Sequence, residues 1–271
     1  MCIILNEISS VTATKIFVAP SLTKREQLTV YQNTVDSPEE NLMILPVPHP
    51  ETIKLHTLEY KGFFDDLFNS VTRISTRSSA PLRYANVLSR SAASVLPIYD
   101  YGSYKVSIAP TIDDLLRLDT HVFTLPDGIR EFFASHYSGE FGYLCCKLKP
   151  GKKEYEPVCY SHALHSSGKL FVPTLHYHIH ESRIDAADWS QNQFQYQIHE
   201  SRTETDAADW DHFIYSTQTT PVANLQFTSN ETNQVKWAKL PVPFRYTASS
   251  PIRLARITGH QKNHDLSFEI V

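Results

Sequence analysis

Glycine is scarce in this chain, with 8 among 271 residues. Backbone cradles for phosphate are built largely from glycine, and no G-x-G-x-x-G, Walker-type or G-x-S-x-G segment occurs. A nucleotide cofactor is therefore not expected. Long apolar runs are also missing: none approaches the ~18 residues that a spanning helix needs. The N-terminus, MCIILNEISS, has no basic n-region and too short an apolar run for a signal peptide, so a cytoplasmic protein is the expectation. Cysteine is sparing. Cys2, Cys145, Cys146 and Cys159 show neither C-x-x-C nor disulfide-framework spacing, and neighbours such as Cys145 and Cys146 point to opposite faces of a strand. Reduced thiols are expected. A strong charge of either sign is absent too, the net being −4. The segment from Arg245 to Lys262 carries Arg253 and Arg256 too sparsely to call for nucleic acid. A protein partner or a second copy of the chain is the expected kind of partner; membrane and nucleic acid are not.

What is present reads as a folded, strand-rich chain, 41% hydrophobic and 11% aromatic. Residues 14 to 46 pattern as a β-meander (TKIFVAP, QLTVYQNTV, LMILPVP), with Pro46 and Pro48 expected to end the third strand. Tyr60, Phe63, Phe64, Leu67, Phe68 and Val71 recur at helical spacing, which predicts an amphipathic helix from Tyr60 to about Arg73. A second helix is expected over Pro126 to Tyr137. Between strands, Thr111-Ile-Asp-Asp114 has the form of a capping box. Gly142–Leu148 and Tyr155–Ala163 read as a hairpin around LKPGKKE. Further strand-like runs are LQFTS, VKWAKL, PFRYTA and LSFEIV. The expected fold class is α+β, mainly antiparallel sheets and sandwich-like, with two or three covering helices. One domain over 1–271 is favoured, with 181–208 as an inserted or duplicated loop.

Residues 72 to 94, TRISTRSSAPLRYANVLSRSAAS, contain no acidic side chain. Arg73, Arg77, Arg83 and Arg90 would make either a phosphate-binding loop or, more simply, a solvated connection.

The densest chemistry lies between Leu170 and Tyr215. Seven of the thirteen histidines fall between 162 and 212. His176, His178 and His180 alternate with Leu175, Tyr177 and Ile179, and on a strand they share one face. The stretch also repeats itself: Ile179-His-Glu-Ser-Arg183 returns as Ile198-His-Glu-Ser-Arg202, and Asp185-Ala-Ala-Asp-Trp189 returns as Asp206-Ala-Ala-Asp-Trp210. A local duplication within an ancestral pair of strands accounts for this. The outer edges, His176-Tyr-His178 and Asp209-Trp-Asp-His212, would then lie on neighbouring strands.

Two imidazoles at i and i+2 with a third from an adjacent strand can ligate one ion. His176, His178 and His212 are the expected ligands of a divalent metal (zinc, iron or manganese), with Asp211 and Glu181 as carboxylate ligand, orienter or base. Ser161-His162 and His165 form a secondary cluster. Cys2 offers a separate enzymatic reading, an N-terminal nucleophile exposed by loss of Met1. Ile3 follows it where glycine is usual in that class. The function expected is a metal-binding protein, as a hydrolase using metal-activated water. The alternative is a non-enzymatic interaction or structural module that uses its sheet surface and long repeat.

Asn41-Leu-Met-Ile-Leu-Pro-Val-Pro48, LFVPTLHYH and DWDHFIY, with YKVSIAPTIDDLLRLD and FGYLCCKLKPG between them, resemble blocks of a widespread family of unknown function found in bacteria, protists and large DNA viruses. The resemblance implies that the HYH and DWDH edges belong to a family pattern from which the inner repeat departs. It implies no activity or cofactor.

Overall fold

The computed structural model describes residues 3–5, 8–58, 60–72, 95–137, 139–165, 167–175, 177–178, 211–217, 227–231, 235–247, 250–258 and 265–270. Chain order begins with β1 (Ile3–Ile4), β2 (Ser10–Pro20), β3 (Glu26–Ser37), β4 (Asn41–Pro48), β5 (Lys54–Leu55) and α1 (Phe63–Thr72). It continues with β6 (Tyr99–Tyr101), β7 (Tyr104–Ala109), α2 (Ile129–His136), β8 (Phe141–Leu148), β9 (Gly151–Glu154) and β10 (Val158–Ala163). The remaining elements are β11 (Leu170–Val172), β12 (Tyr177–His178), β13 (Asp211–Ser216), β14 (Phe227–Glu231), β15 (Pro251–Thr258) and β16 (Leu266–Phe268). The fold class is α+β.

A six-stranded sheet runs β12-β1-β4-β8-β7-β6, and an eight-stranded sheet contains β14-β15-β13-β2-β3-β10-β5 with β9 paired to β3. β11 and β16 form a separate pair. One apolar cluster draws on both large sheets, bringing Met43, Leu45 and Leu144 of one together with Ile16, Tyr31 and Ile214 of the other. The far side of the six-stranded sheet is covered by α2 through Ile129, Phe132 and Phe133. The far side of the eight-stranded sheet is covered by α1 through Phe63, Phe64, Leu67 and Val71. Cys145 and Cys146 fall into different clusters, as alternation along β8 requires, and both are free thiols.

Several local expectations hold. The α1 stripe is buried at Phe63, Phe64, Leu67 and Val71, while Phe68 stays exposed. The capping box forms reciprocally: the Asp114 N–H donates to Thr111 Oγ1, and the Thr111 N–H donates to Asp114 Oδ2. The turn it caps is a 3₁₀ helix, Asp113–Arg117. α2 starts at Ile129, later than expected, because Gly128 takes a φ of 78° and sets the first helical residue after it.

Three expectations fail at the level of strand partners. The meander breaks after β3, because β4 leaves for the other sheet. β8 and β10 also part, β8 lying between β4 and β7 and β10 between β3 and β5. Nor does Pro46 end β4: it pairs with Tyr143, and the strand closes at Pro48, opposite Phe141. The alternation of the ladder explains why. The carbonyl of Leu42 accepts from Leu5, on the β1 side, whereas the N–H of His49 donates to Glu140, on the β8 side. Even-numbered residues of β4 thus direct their backbone groups away from β8, so neither proline takes a donor from the β8 ladder. In the C-terminal third, VKWAKL and PFRYTA supply the 3₁₀ turns Trp237–Lys239 and Val242–Phe244 in place of strands. β15, which pairs on both sides, is a strand the sequence reading missed.

Candidate functional site

The sequence points to the two ends of the duplicated segment, and the structure places them in different sheets. β12 is an edge strand of the six-stranded sheet, parallel to β1, with Tyr177 opposite Ile3 and His178 opposite Ile4. β13 lies inside the eight-stranded sheet, antiparallel to β15 and parallel to β2. The expected pairing of the HYH and DWDH strands is therefore not made. Strand pairing was inferred from closeness in an ancestral sequence, and here each edge takes a partner from elsewhere in the chain. His176, Glu181, the 181–208 repeat, Cys2 and the arginines Arg73, Arg77, Arg83 and Arg90 lie outside the described residues.

His212 sits between Thr14 of β2 and Ile257 of β15 and is fully buried. Burial pushes its imidazole well below the ordinary histidine range, so the ring is neutral. A neutral ring suits a metal ligand and equally suits a packed core. Among the described residues, no group of three or more His, Cys, Asp or Glu is placed to hold a metal ion.

Of the secondary histidine cluster, His162 is packed inside the fold while His165 lies in the wall of a pocket. His162 is buried on β10, its Nδ1–H donates to the Ala163 carbonyl at 2.7 Å, and desolvation lowers its pKa to about 4. His56 Nε2 lies 2.8 Å from Ser161 Oγ. Burial first, and Lys54 second, lower the His56 pKa to about 4. A serine beside a neutral imidazole has the outline of a nucleophile and base, but Ser161 is sealed within β10 at 1% exposure. A substrate cannot reach it.

The densest set of specific polar contacts gathers just before β12, where β11 leaves its partner. Gln27, wholly buried on β3, uses its side-chain amide as a strand would. Its Nε2 donates to the Phe171 carbonyl at 2.6 Å, and its Oε1 accepts from the Phe171 N–H at 2.8 Å. Asp265, half-buried ahead of β16, accepts from the N–H groups of Thr174 and Leu175 through Oδ1, each at 2.7 Å. Through Oδ2 it accepts from the Tyr137 hydroxyl at 2.7 Å. Burial pushes the Asp265 carboxyl above its ordinary value, opposed by those three donors. Beside it opens a pocket of about 470 Å³ whose walls include His136, Phe141, His165, Phe171 and Leu266. His136 is exposed at the rim and tilts against Phe132, 4.4 Å between ring centroids. No single-sequence signal marks Asp265. Nor does one mark Gln27, which is one of several polar residues along β3.

No protein-family model and no curated protein sequence matches the chain. Among solved structures, its fold is similar to that of a mutated baculovirus P35 after caspase cleavage. The similarity covers 96% of this chain and 100% of that one, with a TM-score of 0.50 and 11% identity. At that identity the likeness is one of fold alone.

Proposed function

We propose that this chain is a non-enzymatic protein partner, a sandwich of two sheets that presents a long connecting segment to a cysteine protease of the caspase class. The observation that carries this reading is the end-to-end likeness to a P35 whose structure follows caspase cleavage. The route of the chain adds support. Residues 73–94 leave α1, on the eight-stranded sheet, and return to β6 in the six-stranded one. Residues 179–210 make the opposite crossing, from β12 to β13. The two differ in chemistry. A protease that reads a carboxylate beside the scissile bond finds none in 73–94, but finds Asp185, Asp188, Asp206 and Asp209 in the repeat.

The test is incubation of the purified protein with an active caspase and, in parallel, with a cysteine protease that cuts after arginine. Intact mass and residual protease activity are followed together. The expected result is a discrete cut in 179–210 by the caspase, abolished when Asp185, Asp188, Asp206 and Asp209 are all changed to Ala. A cut confined to 73–94 by the arginine-reading protease keeps the partner role and reassigns the protease. No cut in either segment, with undiminished protease activity, overturns the reading.

A further inference from the structure

β12 lies at the edge of the six-stranded sheet with β1 as its neighbour there. The described residues that lead into it are Thr174 and Leu175.

Both residues are buried, at 1% and 5% exposure, and their N–H groups donate to one oxygen, Asp265 Oδ1. A second link runs the other way, from the Leu266 N–H to Thr174 Oγ1 at 3.0 Å. β16 continues from there, Leu266 opposite Val172, Ser267 opposite Phe171 and Phe268 opposite Leu170. Phe268 is wholly buried in the cluster shared by the large sheets. The other carboxylate oxygen takes the Tyr137 hydroxyl at the C-cap of α2. One side chain therefore joins the C-terminal strand, the end of a helix and the turn that delivers β12. β12 in turn lies against β1, the first strand of the chain.

We propose that Asp265 is a clasp through which the C-terminal strand seats the N-terminal strand. Without the carboxylate, the turn at Thr174–Leu175 loses its acceptor, β12 leaves the edge of the sheet, and β1 loses its parallel neighbour. β1 keeps its antiparallel contact with Met43 and Ile44. The effect is thus a local opening of the N-terminal strand, and the rest of the sheet stays closed.

Amide hydrogen exchange on the full chain tests this, comparing the native protein with Asp265→Ala, Asp265→Asn and Tyr137→Phe. Asp265→Ala is expected to speed exchange at least tenfold at residues 174–178 and at 3–5, with β2 and β3 unchanged. Tyr137→Phe spares Oδ1 and is expected to leave residues 3–5 as they were. Faster exchange at 174–175 alone, with 3–5 still protected, overturns the proposal. Asp265→Asn keeps Oδ1 as an acceptor and is expected to leave residues 3–5 protected; should the alanine variant not fold, Asp265→Leu, which has no acceptor, is read by the same criteria as alanine. An increase spread evenly over β2, β3 and β1 in that variant also overturns it.

Discussion

The two ends of the duplicated segment are held by different physics. At its far end β13 is embedded, with six register partners on β15 and five on β2. Ladders of that kind are cooperative, and the buried Ile214 and Tyr215 add apolar area on top. At its near end β12 rests on one short neighbour and on a turn held by side chains, Gln27 behind Phe171 and Asp265 behind Thr174 and Leu175. A backbone ladder spreads its hydrogen bonds over many residues. A turn suspended from two polar groups rests on few. The difference locates where the molecule opens first, and it can be sharpened or broken experimentally.

The largest effect belongs to the embedded end. Ile214→Asp places an unpaired charge between Ile16 and Ala255, at a site with no exposure. A loss of about 4 kcal/mol or more in urea denaturation is expected. A loss under about 1 kcal/mol would show that β13 is not the rigid end. Gln27→Ala comes next. It strips the buried N–H and C=O of Phe171 of their partners, and the expected cost is about 2–4 kcal/mol by the same measurement.

Acidification separates the two ends by sign. Burial lowers His162 from 6.5 to about 4 and holds His212 well below its ordinary value. Between pH 6.5 and 4 the unfolded chain binds protons that the folded chain refuses, so stability falls as pH falls. Each such histidine contributes a slope of roughly 1.4 kcal/mol per pH unit where the difference is fully developed. Asp265, with its carboxyl raised, works in the opposite sense and gains stability as it takes up its proton. Thermal midpoints across this range should fall for the native protein, fall less for His162→Gln, and fall more steeply near the acid limit for Asp265→Asn. Parallel curves for all three would remove the histidines and Asp265 from the explanation. The smallest effect is Tyr137→Phe, which deletes one hydrogen bond at the clasp for about 1 kcal/mol.

How much of this could be read beforehand depends on the range of the interaction. The α1 stripe, the Thr111–Asp114 cap and the opposed faces of Cys145 and Cys146 follow from positions within a few residues of one another, and all three appear in the structure. The candidate site depended on two edges meeting, His178 on β12 and His212 on β13, and they belong to different sheets. Asp265 was invisible for the same reason in reverse: its partners are 90 and 91 residues away along the backbone and 128 away at Tyr137. Nothing in NHDLSF distinguishes a clasp from a turn residue.

The sequence by itself determined the buried stripe of α1, the alternation along the strands it did mark, and that two histidine-bearing edges flank a repeat. It did so because side-chain alternation and helical spacing are local consequences of backbone geometry. Tertiary structure alone decided which sheet each strand joins, that β4 runs on past Pro46, and that Gln27 and Asp265 suspend the turn before β12. Backbone hydrogen bonds between strands are indifferent to sequence distance and nearly indifferent to side-chain identity. Their choice of partner is settled by how two sheets close over one core.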